Sequence, residues 1–168
     1  MRVLVAAATR YGATAEIATA IAEVLGEHGL EAAVLPLEQV EGVDGYDAVV
    51  VGSAVYAGHW LKPARELVER HAGTLAGRPV WLFSSGPVGD PLKPEEDPVD
   101  VAELLTATGA REHRVLAGKL VRRQLSFPDR AIVSALRVPE GDFRDRTEIT
   151  RWAASIADAL QAVDSSCL

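Results

Sequence analysis

The sequence has a single cysteine in 168 residues, Cys167, beside the C-terminal Leu168. One thiol builds neither a disulfide framework nor a cysteine-rich metal site, and its ordinary reading is a tail residue without a role. Long apolar runs are also missing. The first, Val3 to Ala8, is six residues long and ends at Thr9-Arg10, too short for the core of an export signal. No run approaches the roughly 20 residues of a membrane span. Positive charge is scarce: 17 Lys and Arg against 24 Asp and Glu leave a net charge of -7. No broad basic face is available to neutralise phosphates, so no nucleic-acid partner is expected. With 48% hydrophobic and 24% charged residues, the chain has a globular balance and the length of one domain. We expect a cytoplasmic protein.

What is present is an alternation of two periods. Val3 to Ala7, Ala32 to Leu35, Ala48 to Val51, Val80 to Phe83 and Val115 to Ala117 are short apolar stretches of strand length. Ala48 to Val51 carries no polar residue at all, as a strand buried on both faces would. Between the strands the apolar spacing turns helical. Ile17, Ile21, Val24 and Leu25 form one stripe, closed by Gly26 and Gly29. Pro63 opens a second helix through Ala64, Leu67, Val68 and His71 to Gly73. Asp97 and Pro98 open a third, with Gly109 supplying its left-handed end. Asp145, with Glu148 three residues on, caps a last helix carrying Ile149, Trp152, Ile156 and Leu160. Strands alternating with helices predict an α/β domain, a parallel sheet covered on both faces. No internal repeat or interdomain linker interrupts it.

Ligands of such sheets sit beyond the carboxyl ends of the strands, where strand order reverses. Three loops there have unusual compositions. The first is Thr9, Arg10, Tyr11, Gly12, Ala13 and Thr14, at the start of a helix whose outward amides suit a phosphate. It lacks the Gly-Lys-Ser/Thr ending of a P-loop and the GxGxxG of a dinucleotide loop, leaving a phosphate monoester as guest. The second runs from Gly52 through Ser53, Ala54, Val55, Tyr56, Ala57 and Gly58 to His59 and Trp60. Its two glycines would let backbone approach a flat ring, and Tyr56, flanked by small residues, is expected to stack there. Trp60, at the helix entrance, is expected in the core, and His59 as a cap or in solvent. The third is Ser84, Ser85, Gly86, Pro87, Val88, Gly89 and Asp90, whose amides and carboxylate suit the polar edge of a pyrimidine-like ring; its bland alternative is a plain turn.

Together these loops resemble those of flavodoxins, whose phosphate loop reads Ser/Thr-x-Thr-Gly-x-Thr. The chain is more closely similar to the flavodoxin-like, menaquinone-dependent protoporphyrinogen dehydrogenases, from Val3 to about Leu160. The resemblance implies a three-layer α/β/α sandwich with a five-stranded parallel sheet in the order 2-1-3-4-5. It implies one domain over 1–164, a tail at 165–168, and flavin mononucleotide (FMN) as cofactor. Thr9 to Thr14 would then hold the phosphate, and Ser53 to Gly58 with Ser85 to Asp90 would flank the isoalloxazine. Two positions depart from flavodoxins. Tyr11 replaces the middle Thr, with Arg10 adding charge, and the third loop has no aromatic residue to cover the second ring face.

An uncovered face would admit a substrate or a quinone, which favours an FMN oxidoreductase passing electrons from a protoporphyrinogen-like donor to a quinone. The alternatives are an electron carrier between redox proteins, and a flavin-free binding module. A final feature is a basic inserted segment, about 119–140. Between Lys119 and Arg137 the bases Lys119, Arg122, Arg123, Arg130 and Arg137 stand against one acid, Asp129, interleaved with Leu125, Phe127, Ile132, Val133 and Leu136. Such an element suits peripheral contact with the inner face of a membrane, or a solvated excursion on the sheet edge. No acid–base residue and no metal ligand is singled out.

Overall fold

The computed structural model describes residues 1–89 and 91–166. Five parallel strands form the sheet: β1 (Arg2–Ala8), β2 (Glu31–Pro36), β3 (Ala48–Tyr56), β4 (Val80–Ser85) and β5 (Glu112–Leu116), in the order β2-β1-β3-β4-β5. A two-residue strand, His59–Trp60, adds antiparallel to the end of β3. The helices are α1 (Ala13–Glu27), α2 (Lys62–Ala76), α3 (Val101–Thr108), α4 (Phe127–Ala135) and α5 (Arg146–Ser166). The architecture is thus the flavodoxin-like sandwich expected, with strand order reversing between β1 and β3.

Alternation along β1 divides the core. Val3, Val5 and Ala7 pack with α1 and α5, while Leu4, Ala6 and Ala8 face α2 and α3. This two-sided burial explains why β1 and β3 read as unbroken apolar runs. In β3, Gly52 stands directly opposite Phe83 of β4. Phe83 is fully buried, and its ring lies edge-on to Trp152 at 6.0 Å.

Several predicted boundaries move for physical reasons. Helix α1 continues through Gly26 and ends in a Schellman arrangement: Gly29, at φ 81°, donates to Gly26, and Leu30 donates to Leu25. Helix α2 passes Gly73 and stops at Gly77. Helix α3 starts at Val101, not at Pro98. Asp97 does not cap it; Asp100 precedes it, and the Asp100 carboxylate instead accepts the Trp60 amide at 2.9 Å. Strand β5 covers Glu112–Leu116 rather than Val115 to Ala117. It is an edge strand whose polar side chains are used: Glu112 accepts from Trp152 Nε1, and His113 bonds Ser84. Asp145 caps α5, accepting the amides of Thr147 and Glu148. That helix runs through Ser165 and Ser166, two residues into the stretch read as tail; Cys167 lies outside the described residues.

The basic segment is folded. Lys119–Leu120 pairs antiparallel with Gly141–Asp142, closing a ribbon around a short 3₁₀ turn (Arg122–Gln124) and α4. Ser126 caps α4 by accepting the Asp129 amide. Arg144 ties the base of the ribbon to α1, pairing with Asp142 and Glu16. Among the described residues no helix is long and apolar enough to cross a membrane.

Candidate functional site

A cavity of about 430 Å³ opens at the carboxyl edge of the sheet, at the reversal of strand order. That size suits a small-molecule or cofactor site. Its walls are the three loops singled out in the sequence and, as a fourth, the inserted segment from Gly118 to Val138.

The first wall is the turn from β1 into α1. Gly12, at φ 93°, stands at the helix start without any side-chain cap. The first amides of an α-helix have no intrahelical partner, so those of Ala13 and Thr14 point outward unsatisfied. Thr14 is 2% exposed and lines the cavity with Ala13. The Thr9 hydroxyl accepts the Gly12 amide at 2.9 Å, which fixes the loop and leaves the hydroxyl proton to donate elsewhere. This donor set, with the helix dipole behind it, fits the phosphate of the FMN that the sequence resemblance implies.

The second wall is a hairpin, not an open loop. Val55 pairs with Trp60 and Tyr56 with His59 around Ala57 and Gly58, both at positive φ (51° and 79°). This is the backbone of a type I′ turn. It presents Ala54, Val55, Tyr56 and Ala57 to the cavity, while Ser53 and Gly58 do not line it. Ser53 is fully buried and accepts the Leu61 amide. Gly52 does not bring backbone to a ligand: a side chain there would lie inside the Phe83 ring. Trp60 is 1% exposed, with Nε1 donating to Ser84 at 2.7 Å. The Ser84 hydroxyl bonds His113 Nε2 at 2.7 Å, and partial burial lowers the His113 pKa, which favours the neutral ring. His59 lies at the surface beside Asp100, so neither residue enters the cavity.

The third wall contributes Ser85, Gly86 and Val88. Pro87 and Gly89 do not line the cavity, and Asp90 lies outside the described residues. Pro87 O accepts the Gly118 amide at 2.7 Å, and a Cβ on Gly118 would stand 3.0 Å from both Cα and O of Gly86. Gly118 is therefore the point of close backbone contact at which the inserted segment meets the third loop. The sequence reading did not single it out.

It also missed Asp129. This residue is 4% exposed and faces the cavity mouth. Its carboxylate accepts from the Tyr11 hydroxyl, from Tyr56 at 2.9 Å and from Arg10 Nε at 2.9 Å, with Arg10 Nη2 also at 2.9 Å. The hydrogen bond from Tyr11, then those from Tyr56 and Arg10, hold its pKa below the usual carboxylate range against the opposing effect of burial. The same carboxylate raises the Tyr56 pKa. The Arg10 guanidinium lies 4.2 Å over the Tyr56 ring. Arg10 is thus neutralised by Asp129, and the outer edge of the cavity is one polar knot of four side chains.

Comparison with known proteins agrees with this geometry. The family model of the flavodoxin domain matches residues 4–147. A protoporphyrinogen IX dehydrogenase (quinone) of Escherichia coli strain K12 is 31% identical over 150 residues, which cover 87% of this chain and 75% of the relative. Among solved structures, a flavodoxin from the domain Archaea superposes with a TM-score of 0.66 at 18% identity, covering 96% of this chain and 99% of that one. The rubredoxin oxygen:oxidoreductase of Desulfovibrio gigas gives 0.67 at 18% identity, over 96% of this chain and 36% of that one. At such identities the structural likeness shows the fold alone.

Proposed function

The chain belongs to the flavodoxin-domain family, whose cofactor is FMN, and from that premise we infer that it is an FMN-dependent oxidoreductase delivering electrons to a quinone. A reduced, protoporphyrinogen-like substrate is the donor in this reading. Its chief support is the fourth wall. Helix α4 turns an edge-of-sheet flavin site into a cavity with an apolar lining, where Leu125, Ile132, Val133, Leu136 and Val138 face Val55 and Val88. A bulky apolar reactant suits such a wall, and a protein that only shuttles electrons between partners has no need of it. The activity for which the Escherichia coli relative is named points the same way.

Each residue has a physical role in this reading. The amides of Ala13 and Thr14 and the hydroxyls of Thr9 and Thr14 hold the phosphate, with Gly12 leaving the approach open. Tyr56 and Ala57 border one side of the flavin ring, and Ser85 with Gly86 lines the cavity beside its polar edge. Bound FMN supplies the two-electron chemistry; the protein binds it, orients it and shields it from water. The outer surface of the inserted segment makes peripheral contact with an anionic membrane, where quinones reside. There Phe127 (82% exposed) stands with the exposed Arg123, Arg130 and Arg137.

The visible spectrum of the purified protein, followed by titration with FMN and with riboflavin, tests the site. FMN is expected to bind more tightly, because riboflavin has no phosphate to use the α1 amides; equal affinity would refute that assignment. Steady-state turnover with a soluble menaquinone analogue tests the reaction. Flavin that is reduced but passes nothing to the quinone would favour an electron carrier instead.

A further inference from the structure

Helix α4 is fastened in an unusual way. A surface helix ordinarily adheres through an apolar stripe, yet the one buried side chain among its nine residues is a carboxylate, Asp129. None of its apolar residues is buried, although Val133 is half-buried. Phe127 is 82% exposed, Ile132 46% and the adjoining Leu136 72%, and Ile132 and Leu136 border the cavity rather than packing into a core. The fastening comes from Arg10, Tyr11 and Tyr56, three donors on two different loops that converge on one carboxylate.

We propose that Arg10, Tyr11 and Tyr56 form an oxyanion seat that Asp129 fills in the free protein, so that an entering oxyanion displaces Asp129 and releases α4 from the cavity mouth. Arg10 offers Asp129 two nitrogens, Nε and Nη2, each at 2.9 Å. Guanidinium and phenol groups bind phosphate and carboxylate alike, so the exchange replaces one set of charge-assisted bonds by an equivalent set. Arg10 and Tyr11 belong to the loop that leads into the uncapped start of α1. An oxyanion resting at that loop has oxygens to spare for Arg10 and Tyr11 as well as the α1 amides, and so keeps Asp129 displaced while it is bound. Displaced Asp129 keeps a favourable position, since it stands in the first turn of α4, where helix amides favour negative charge. The lid opens without a buried apolar face being stripped from the core. The inference rests on the FMN reading only for the identity of the natural ligand.

Amide hydrogen exchange on the full chain, followed at residues 127–135, tests this. The probes are FMN, riboflavin, inorganic phosphate and acetate. FMN and saturating inorganic phosphate are expected to speed exchange in α4 by roughly tenfold, the factor lost with about one charged hydrogen bond, and riboflavin to leave it unchanged. A response to acetate as strong as that to phosphate makes carboxylates competent occupants of the seat. Ligand-free Asp129→Asn should match the phosphate-saturated parent, and Arg10→Gln should abolish the phosphate response. If Asp129→Asn does not fold, Tyr11→Phe removes one donor and must shift exchange in the same direction. FMN bound tightly with α4 unchanged or more protected overturns the lid. A phosphate response without FMN binding upholds the lid and removes the FMN reading.

Discussion

Replacing Gly52 by Ala separates two roles for one glycine in β3. If Gly52 allows backbone to approach a flat ligand, the added methyl should weaken FMN and leave stability intact. The structure assigns the space to Phe83, which faces Gly52 across the β3–β4 pair and would overlap any Cβ there. Phe83 is fully buried against Trp152, so its ring has nowhere to relax within the core. Expelling it forfeits a cost on the scale of a Phe→Ala truncation, about 3–5 kcal/mol. For a domain of this length each kcal/mol lowers the melting temperature by about 2–4 °C, so Gly52→Ala should melt roughly 6–20 °C below the parent.

A double-mutant cycle makes this reasoning refutable. Phe83→Ala alone should also destabilise by about 3–5 kcal/mol. In the Phe83→Ala background the Gly52→Ala methyl enters a vacated cavity and should cost little, giving a coupling close to the whole single-mutant cost, about 3–5 kcal/mol. The measurement is denaturant unfolding of the four proteins, with near-UV circular dichroism reporting Trp152. Additive effects, or a Gly52→Ala protein that melts within about 2 °C of the parent and merely loses FMN, would show that the glycine serves the ligand after all.

Other outcomes follow from the same geometry. Gly118→Ala places a methyl 3.0 Å from the Gly86 backbone, which no side-chain rotation relieves; about 1–3 kcal/mol of stability should be lost, together with FMN affinity by titration. Asp100→Ala removes the acceptor of the Trp60 amide and should cost about 1–2 kcal/mol in thermal unfolding while sparing FMN binding. The half-buried His113 has a folded pKa below its ordinary 6.5, so the unfolded chain binds the proton more readily. Stability should therefore fall as pH drops below about 6.5, and His113→Gln should flatten that part of the curve. Arg123→Gln with Arg137→Gln should weaken sedimentation with anionic vesicles by tenfold or more, increasingly so at low salt, with FMN content unchanged.

The elements legible in the sequence were those whose local pattern and tertiary fate coincide. Strands β1, β3 and β4 are covered on both faces, so burial wrote itself into continuous apolar runs. Strand β5 is an edge, where Glu112 and His113 serve distant partners and Arg114 pairs with Glu112, leaving no apolar run to read. The hairpin at Val55–Trp60 was hidden because Ala57, rather than Asn or Asp, occupies a left-handed turn position. Gly52 was given to a ligand because nothing in its own neighbourhood announces Phe83. Asp129 is the extreme case: its partners Arg10, Tyr11 and Tyr56 are 119, 118 and 73 residues away. A local trace existed all the same. Ser126-Phe127-Pro128-Asp129 has the spacing of a capping box, which would have set Asp129 apart from the bases around it.

The bases of the inserted segment divide by what their hydrogen bonds do, and this bears on how its charge is to be tested. Arg122 donates to Val138 O through its side chain and to Glu140 through its amide. Arg130 donates to the carbonyls of Arg122 and Leu125. Both keep their charge, yet both also hold the segment in shape, so removing either alters fold and field together. Arg123 and Arg137 are exposed and, among the described residues, hold no such carbonyls. Asp129, the one acid counted against the basic residues, is matched by Arg10 from outside the segment. The outward field is consequently more positive than the local sequence balance suggests, whereas the cavity mouth is closer to neutral. A variant at Arg122 that loses vesicle binding would say little about charge. The same loss at Arg123 and Arg137, with the α4 amides exchanging as before, assigns the effect to electrostatics alone.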